Sequence, residues 1–346
     1  MFPRLAVVCA AASFLSATAA ADSGTMVQVP GGVVDESRHL AYLQNVRAGL
    51  DAVELATGRV LWSDSDPQRP LAGANGRLLV ERVTSDGVSL CLREARDQRG
   101  ACATSTRLPL PSWSVGGPSR GRAFDATVEW IGRDAVRYRW SAGKHWSQGM
   151  HPPRDRQADD GDPESQTASG AMLVSFKTTK ISVSDVGAPP AGSMAYESAR
   201  GMMRTAWRVD GVWCSLATET LDGVSFWIVR RTGEAGRPLP PLKGGRAGTI
   251  TPRLSLDGRV LLMPTTRSGP APSLRLPSGS VGPALNAATL AREFAVSGAL
   301  LLEGVDAPKE PGSEQPRRAL RVTTIDGGLP RWSYPLYVRS APPTPQ

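Results

Sequence analysis

Residues 49–62 read Gly-Leu-Asp-Ala-Val-Glu-Leu-Ala-Thr-Gly-Arg-Val-Leu-Trp, and the pattern in this stretch decides the fold. Two short apolar runs stand on either side of Thr57-Gly58, and the second run ends at Trp62. Short apolar runs bounded by turn residues are typical of β-strands, and a Gly turn between two such runs is typical of a hairpin. The stretch therefore predicts two antiparallel strands joined at Gly58.

The same hairpin pattern recurs along the chain at intervals of 42 to 49 residues. Its turn positions are Gly58, Gly100, Gly143, Gly187, Gly236, Gly279 and Gly328. A second series of turns lies upstream of the first, at Glu36, Gly76, Gly121, Gly170, Gly211, Gly258 and Gly298. Because each unit contains two hairpins, the two series predict seven units of four strands each.

Seven such units predict an all-β fold, a seven-bladed β-propeller of four-stranded antiparallel blades packed around a central axis. The alternative is a pair of β-sandwich domains, which would not be expected to keep a constant spacing over seven cycles. The 346 residues include 36 Gly and 29 Pro, and only 21% are charged, which excludes a coiled coil or a helix bundle. Only Ser193–Met203 and Pro283–Ala295 have helical potential. Met26–Pro30 is expected either to open the first unit or to add a strand to the seventh.

Residues 1–21 have the features of a secretory signal peptide: a positive charge near the start, an apolar run, and Ala19-Ala20-Ala21 as a cleavage site. Cys9 lies in the apolar run without the small residue before it that a lipoprotein signal has, so we expect no lipid anchor. We expect a single propeller domain over 22–340 and a disordered tail over 341–346. The mature protein is expected to be periplasmic or secreted, without a transmembrane segment.

The net charge is +8, from 40 Lys and Arg against 32 Asp and Glu. Basic chains are attracted to phosphate, but the basic residues are spread over the whole length, without the run of like charges that marks an interaction tail. We therefore expect no nucleic-acid partner. We also expect a monomer.

Three stretches, ending in Trp62, Trp332 and Trp146, resemble the repeat of the quinoprotein-like (PQQ-like) propellers. In that repeat a strand of the Ala-Leu-Asp type is followed by a Thr-Gly turn and a strand that ends in Trp. The three copies, from the strongest to the weakest, are residues 49–62, 319–332 and 141–146. The resemblance implies that the three tryptophans cover seams between adjacent sheets, where a large flat ring buries much apolar area.

Enzymes of that family that use pyrroloquinoline quinone hold a calcium ion with acidic and amide side chains, and they usually carry a disulfide between adjacent cysteines. This sequence has no adjacent cysteine pair, and Asn45, Asn75 and Asn286 do not suggest such a ligand set. The family also includes the non-catalytic propeller of the outer-membrane β-barrel assembly machinery, a protein-docking scaffold. The resemblance therefore implies a non-catalytic scaffold without a cofactor. The alternative is a quinoprotein-type oxidoreductase, or another enzyme with its site in the axial funnel.

Cys91 and Cys102 lie on the two strands of a predicted hairpin. Directly opposite positions on paired strands bring Cβ atoms within disulfide reach, so we predict a bridge between them in an oxidising compartment. The alternative is two buried free thiols. Cys214 is interpreted as a small core residue.

No motif predicts a catalytic, cofactor-binding or metal site. His39, His145 and His151 do not stand at metal-ligand spacing from one another or from a cysteine. Gly117–Gly121 matches the G-x-S-x-G pattern, but it lies in a Gly- and Pro-rich connection and not at the strand-to-helix turn that a serine nucleophile needs.

Two long polar insertions interrupt the predicted units: residues 151–167 and residues 306–318. We place the first after the fourth strand of unit three and the second between strands two and three of unit seven, and both positions lie on the same rim of a propeller. Loops of this length are usually functional or disordered. We therefore expect this rim to bind a protein partner or a ligand; the alternative is two solvated excursions.

Overall fold

The computed structural model consists of β-strands joined mostly by short turns. It describes residues 24–84, 87–98, 100–111, 122–145, 165–184, 206–233, 236–247, 252–263, 270–286, 290–291, 293–308, 317–326 and 330–337. Within these ranges there is no α-helix, and a 3₁₀ turn spans Glu36–Arg38. Accordingly, this part of the chain contains no helix that could cross a membrane.

The described strands form six antiparallel sheets of four or five strands and one two-stranded ribbon. Sheet I contains β1 (Val27–Val29), β2 (Gly32–Asp35), β3 (Leu40–Gln44), β4 (Leu50–Glu54) and β5 (Val60–Asp64). Sheet II contains β6 (Gln68–Ala74), β7 (Arg77–Thr84), β8 (Gly87–Glu94) and β9 (Cys102–Arg107). Sheet III contains β10 (Arg122–Trp130), β11 (Ala135–His145), β12 (Ser165–Ser175) and β13 (Lys180–Ser184).

The second half of the chain continues the pattern. Sheet IV contains β14 (Ala206–Val209), β15 (Val212–Leu221), β16 (Val224–Thr232) and β17 (Pro238–Arg246). Sheet V contains β18 (Arg253–Leu254), β19 (Val260–Leu262), β21 (Ser273–Arg275) and β22 (Ser280–Val281), and the ribbon pairs β20 (Pro270–Ala271) with β23 (Leu285–Asn286). Sheet VI contains β24 (Glu293–Ser297), β25 (Leu300–Ala307), β26 (Arg317–Thr324) and β27 (Trp332–Leu336).

Most of the predicted turn glycines that the structure describes do lie in turns. Gly58, between β4 and β5, has φ 76°, and Gly76, between β6 and β7, has φ 72°. This left-handed conformation has a steric cost for a residue with a Cβ, whereas glycine adopts it without that cost. The same conformation is found at Gly100, Gly211, Gly236, Gly258, Gly279 and Gly298.

Gly143 and Gly170 are exceptions, and they explain why the predicted count of seven blades is not confirmed. Both lie inside long strands of sheet III. Gly170 pairs with Trp140, and a Cβ at this position would lie 2.7 Å from the indole ring, so packing requires the glycine. The turns of this sheet are residues 131–134 and 176–179. The predicted third and fourth units are therefore two halves of one sheet.

The helical potential of Pro283–Ala295 is not realised. Within its described residues, Leu285–Asn286 form β23 and Glu293 begins β24. Leu285 pairs with Ala271 in the ribbon and is buried in an apolar cluster, so tertiary packing overrides local propensity here. The other candidate, Ser193–Met203, lies outside the described residues.

Four pairs of consecutive sheets pack on each other through an apolar cluster, and a fifth cluster packs the last sheet on the first. We call each contact region between two sheets a seam. Five apolar clusters fill the seams I–II, II–III, IV–V, V–VI and VI–I. Sequential packing of four-stranded meanders that returns to the first sheet is a propeller-type arrangement, in which each sheet depends on its neighbours to bury its faces.

The chain segment at residues 25–29 contacts four of the six sheets. Its strand β1 pairs with β2, so Met26–Pro30 opens the first sheet. The backbone N–H of Met26 donates to the carbonyl of Gly73 in sheet II at 2.7 Å, and β1 also lies beside β24 of sheet VI. Arg259, in the turn between β18 and β19 of sheet V, donates to the hydroxyl of Thr25.

Two of the three predicted seam tryptophans are confirmed. The indole N–H of Trp332 in sheet VI donates to the carbonyl of Leu55 in sheet I at 2.9 Å. Trp62 of sheet I packs against the I–II cluster, and the guanidinium of Arg93 in sheet II lies 5.5 Å from its ring. Trp146 lies outside the described residues, as do the predicted signal peptide (1–21) and tail (341–346).

Candidate functional site

The two ends of the sheets differ in their connections. When sheet I is counted from β2, because β1 is an additional strand, the turns between first and second strands and between third and fourth strands leave at one end, which we call the turn end. The connections between second and third strands, and those between sheets, leave at the opposite end, which we call the rim. The predicted glycines that lie in turns belong to the turn end, where Asn75 and Gly76 form the tight turn between β6 and β7.

Both predicted insertions are connections between second and third strands. Residues 146–164 join β11 to β12, and residues 309–316 join β25 to β26. The placement of the first insertion after a fourth strand was wrong, because it rested on the misread turn glycines of sheet III. Both connections nevertheless leave at the rim, as expected, and their own residues lie outside the part of the chain that the structure describes.

The hairpin of β15 and β16 presents a distinctive face at the rim. Glu219 of β15 pairs with Phe226 of β16, and on the other side Phe226 pairs with Arg246, and Ile228 with Lys243, both of β17. Cross-strand partners share one face of a sheet. This face therefore has an apolar central strand, an acid on the inner strand and two cations on the outer strand.

These side chains form an open groove of about 150 Å³, which we call the rim groove. Its lining residues are Glu219, Leu221, Phe226, Ile228 and Lys243. Ile228 is buried at its base, whereas Leu221 remains 49% exposed. An apolar cavity of about this volume accommodates a ring the size of benzene, so the rim groove has room for one large apolar side chain.

The charges around the rim groove are available to a partner. Lys243, Arg246 and Glu219 are all exposed, and none of them forms an ion pair with any residue that the structure describes. The opposite face of sheet IV is different, because Trp227 and Val229 pack into the IV–V cluster. Sheet IV is thus apolar on both faces, and only one face is covered by a described apolar cluster.

Sheet III is the neighbour on the side of the rim groove, since β10 lies beside β14. Tyr138 of β11 faces sheet II, so the alternating residues Arg137 and Arg139 face sheet IV. Arg137 pairs with Glu129 across the strands, and Arg139 Nη2 lies 3.7 Å from Glu129 Oε2. The Nε atoms of both arginines and Oε1 of Glu129 are buried without a hydrogen-bond partner among the described residues.

Sheet IV adds one more cation to this seam. Arg208 of β14 lies 5.9 Å from the ring of Trp213, and its Nε also has no described partner. No apolar cluster spans sheets III and IV within the described residues. The III–IV seam is therefore polar on one side and apolar on the other, unlike the five seams that share a cluster.

Elsewhere a buried charge is paired with a carboxylate of the adjacent sheet. At seam I–II, Arg93 is completely buried and donates to Asp64 at 2.7 Å and to Gln68 at 3.2 Å. Partial burial of Asp64 acts to raise its pKa, but hydrogen bonds from the backbone of Asp66 and from Arg93 outweigh it and lower the pKa overall. This pair fastens two sheets and does not face an open cleft.

Two tyrosines make similar contacts. Tyr138 of sheet III donates to Glu81 of sheet II at 2.6 Å, and Tyr334 of sheet VI donates to Asp51 of sheet I at 2.5 Å. Burial, together with the hydrogen bond to Asp51, raises the pKa of Tyr334. Neither pair leaves a reactive group free, since each hydroxyl is engaged with a buried carboxylate.

The cysteines lie beside seam I–II. In the structure the Sγ atoms of Cys91 and Cys102 are 2.03 Å apart and their Cα atoms 5.5 Å. The two residues are not directly opposite, because a bulge pairs Cys91 with Ser105 and Cys102 with Arg93. The bridge in solution stays a prediction. Cys214 is buried, and burial raises the pKa of its thiol to about 11.

The other candidate residues do not come together. His39 ends the 3₁₀ turn at φ 54°, the side chain of His145 is not described, and His151 and Gly117–Gly121 lie outside the described residues. The described part of the chain contains no group of three or more His, Cys, Asp or Glu that could hold a metal ion. Asn45 donates to Asp51 at 2.7 Å. Asp51 is the carboxylate that also accepts from Tyr334 of sheet VI.

Comparison with known proteins yields similarity of fold alone. No protein-family model matches the chain, and no curated protein matches it in sequence. TolB from Acinetobacter baumannii is 12% identical with a TM-score of 0.35, over 89% of this chain and 66% of the TolB chain. The β-propeller domain of Cps50 (Swd1) from Myceliophteria thermophila is 10% identical with a TM-score of 0.29, over 90% of this chain and 86% of that one. BamB from Moraxella catarrhalis is 13% identical with a TM-score of 0.28, over 81% of this chain and 90% of that one.

Proposed function

We propose that this protein is a non-catalytic, propeller-type scaffold of the bacterial cell envelope that binds a protein partner at its rim. The observation that carries the proposal is the rim groove: an open apolar surface, flanked by charges that form no ion pair with the described residues, at the end of the sheets where both long insertions leave. Exposed apolar surface rimmed by polar residues is typical of protein interaction sites.

The insertions add a second feature to the same rim. The connection between β11 and β12 belongs to sheet III, which neighbours the groove-bearing face of sheet IV. Its sequence is rich in charge, with acids at Asp155, Asp159, Asp160, Asp162 and Glu164. Binding residues are disproportionately found on loops that a rigid scaffold positions, and the rim combines such loops with a preformed groove.

The non-catalytic part of the proposal is supported by the position of β1. An enzyme of this architecture would use the axial funnel, where side chains from several sheets converge. Residues 25–29 contact sheets I, II and VI and a turn of sheet V, so a backbone segment occupies the space between these sheets. The buried acids at the seams are engaged in fastening sheets together.

Localisation and oligomeric state belong to the same proposal. A cleaved signal peptide would leave a mature chain that begins at Asp22, which the intact mass of the native exported protein tests. We expect that mature mass in the periplasmic or secreted fraction, and a single monomeric species in light scattering.

Separate deletions of residues 153–164 and 307–316 test the rim. Each deletion is expected to reduce recovery of the native partner several-fold in affinity purification from the periplasm, with an unchanged melting temperature. The double variant Lys177→Glu/Thr178→Arg alters the turn end and serves as the control. Undiminished recovery with both deletions, combined with undiminished recovery after substitution of the rim groove, would contradict the proposal.

A further inference from the structure

The rim groove also indicates the chemistry of its occupant, and this inference rests on the proposed function. We propose that the rim groove binds a segment of the partner protein in which a large apolar side chain stands next to an acidic residue. The apolar side chain enters between Leu221 and Ile228, and the carboxylate meets Lys243 and Arg246.

The apolar requirement follows from the lining. Phe226 and Ile228 form the floor, Leu221 forms one wall, and the groove of about 150 Å³ is open to solvent. Filling it removes apolar surface from water, which stabilises the complex in proportion to the area buried. A segment without a large side chain would leave the floor exposed.

The acidic requirement follows from the charges. Lys243 and Arg246 stand side by side with the floor residues on the outer strand, and neither has an ion-pair partner among the described residues. Glu219 stands on the inner strand and repels a carboxylate from that side. The charges therefore complement an acid at the outer side of the bound apolar residue and fix the orientation of the segment.

The composition of β17 disfavours a different binding mode, the addition of a peptide strand. A peptide could add a strand to the outer edge of sheet IV, but Pro238, Pro240 and Pro241 lie in this edge strand and lack backbone donors. In addition, the side chain of Arg231 donates to the carbonyl of Pro240. Insertion of a side chain into the rim groove does not need these backbone groups.

The test is a selection of short random peptides, displayed on phage, on the immobilised full chain. Peptides that bind are expected to carry an aromatic or large aliphatic residue next to Asp or Glu. Synthetic copies should bind Lys243→Glu and Phe226→Ser variants at least tenfold more weakly than the unsubstituted chain. Lys180→Glu makes the same charge change at an exposed position of sheet III, and it should leave binding unchanged.

Other results would overturn the inference. Selected peptides that lack the acidic and apolar pair, or that bind equally well after Lys243→Glu, would exclude this chemistry. Peptide binding that appears only after deletion of residues 153–164 would show that the chain's own connection is the occupant. Concentration-dependent dimers that Leu221→Asp abolishes would show that the occupant is a second copy.

Failure of this inference is distinguishable from failure of the proposed function. If the loop deletions reduce recovery of the native partner while Lys243→Glu and Phe226→Ser do not, the rim binds a partner, but the rim groove is not where the partner's segment binds. A native melting temperature for each variant separates loss of binding from loss of folding.

Discussion

Seams I–II and III–IV show two ways in which neighbouring sheets meet. At seam I–II an apolar cluster surrounds a fully buried arginine that is paired with a carboxylate of the adjacent sheet. At seam III–IV a polar face with Arg137, Arg139 and Glu129 lies towards an apolar face that contains the rim groove. The first seam is built for stability, whereas the second leaves apolar surface and charge available to another molecule.

The largest expected difference between the seams concerns their arginines. Arg93→Leu leaves Asp64 and Gln68 without a buried partner and should lower the free energy of unfolding by about 3–5 kcal/mol. Arg137→Leu at seam III–IV is the matched substitution, and we expect a loss of less than about 1 kcal/mol, because its partner Glu129 also has Arg139 beside it. Urea denaturation of both variants measures the difference, and equal losses would break the comparison.

Truncation of leucines should give a similar contrast. Leu78 is fully buried in the I–II cluster, so Leu78→Ala should cost about 2–5 kcal/mol through lost burial and a residual cavity. Leu221→Ala, at the exposed wall of the rim groove, should cost less than about 1 kcal/mol. If the melting temperature of Leu221→Ala is as low as that of Leu78→Ala, the rim groove is part of the core and not an open site.

The predicted disulfide should stabilise the fold beside seam I–II. Cys91→Ser/Cys102→Ser removes a crosslink between residues separated by 11 positions, and the unfolded chain should gain conformational freedom worth about 2–4 kcal/mol. Cys91 and Cys214 are buried in the fold, so alkylation in denaturant, before and after reduction and followed by mass measurement, tests the bridge itself. Labelling of both thiols without reduction would contradict it; Cys214 supplies the unbridged control.

The smallest expected effect is a pH dependence at the same seam. The pKa of Asp64 is lowered in the folded state, so Asp64 contributes stability above its unfolded pKa, and this contribution is lost as the pH falls through the folded value. Asp64→Asn should therefore flatten the acid limb of a stability profile between about pH 5 and pH 2. An unchanged acid limb in the variant would exclude this role.

The sequence alone predicts strands and turns well where a glycine between two apolar runs lies in a turn. Gly58 and Gly76 mark turns because the backbone is left-handed at both positions. Gly170 has the same local appearance, but it is a strand residue that makes room for Trp140. Only the distant partner distinguishes the two meanings, so the strand character was predictable and the number of blades was not.

The sequence did not predict the rim groove either. It indicated the insertions but not the surface beside them. A signal was present in β16, where Phe226 and Ile228 alternate with Trp227 and Val229, so that both faces of the strand are apolar. Such a strand could equally have been buried on both sides. Only the packing shows that sheet V covers one face while sheet III offers a polar surface to the other.

Site-specific photo-cross-linking in the native cells tests the central claim most directly, with a photoreactive amino acid placed at Leu221 on the rim and, in a second variant, at His39 on the turn end. The account predicts a discrete protein adduct from position 221, lost when residues 153–164 are deleted, and no adduct from position 39. An adduct from the turn end alone, or no protein adduct from the rim groove, would contradict it.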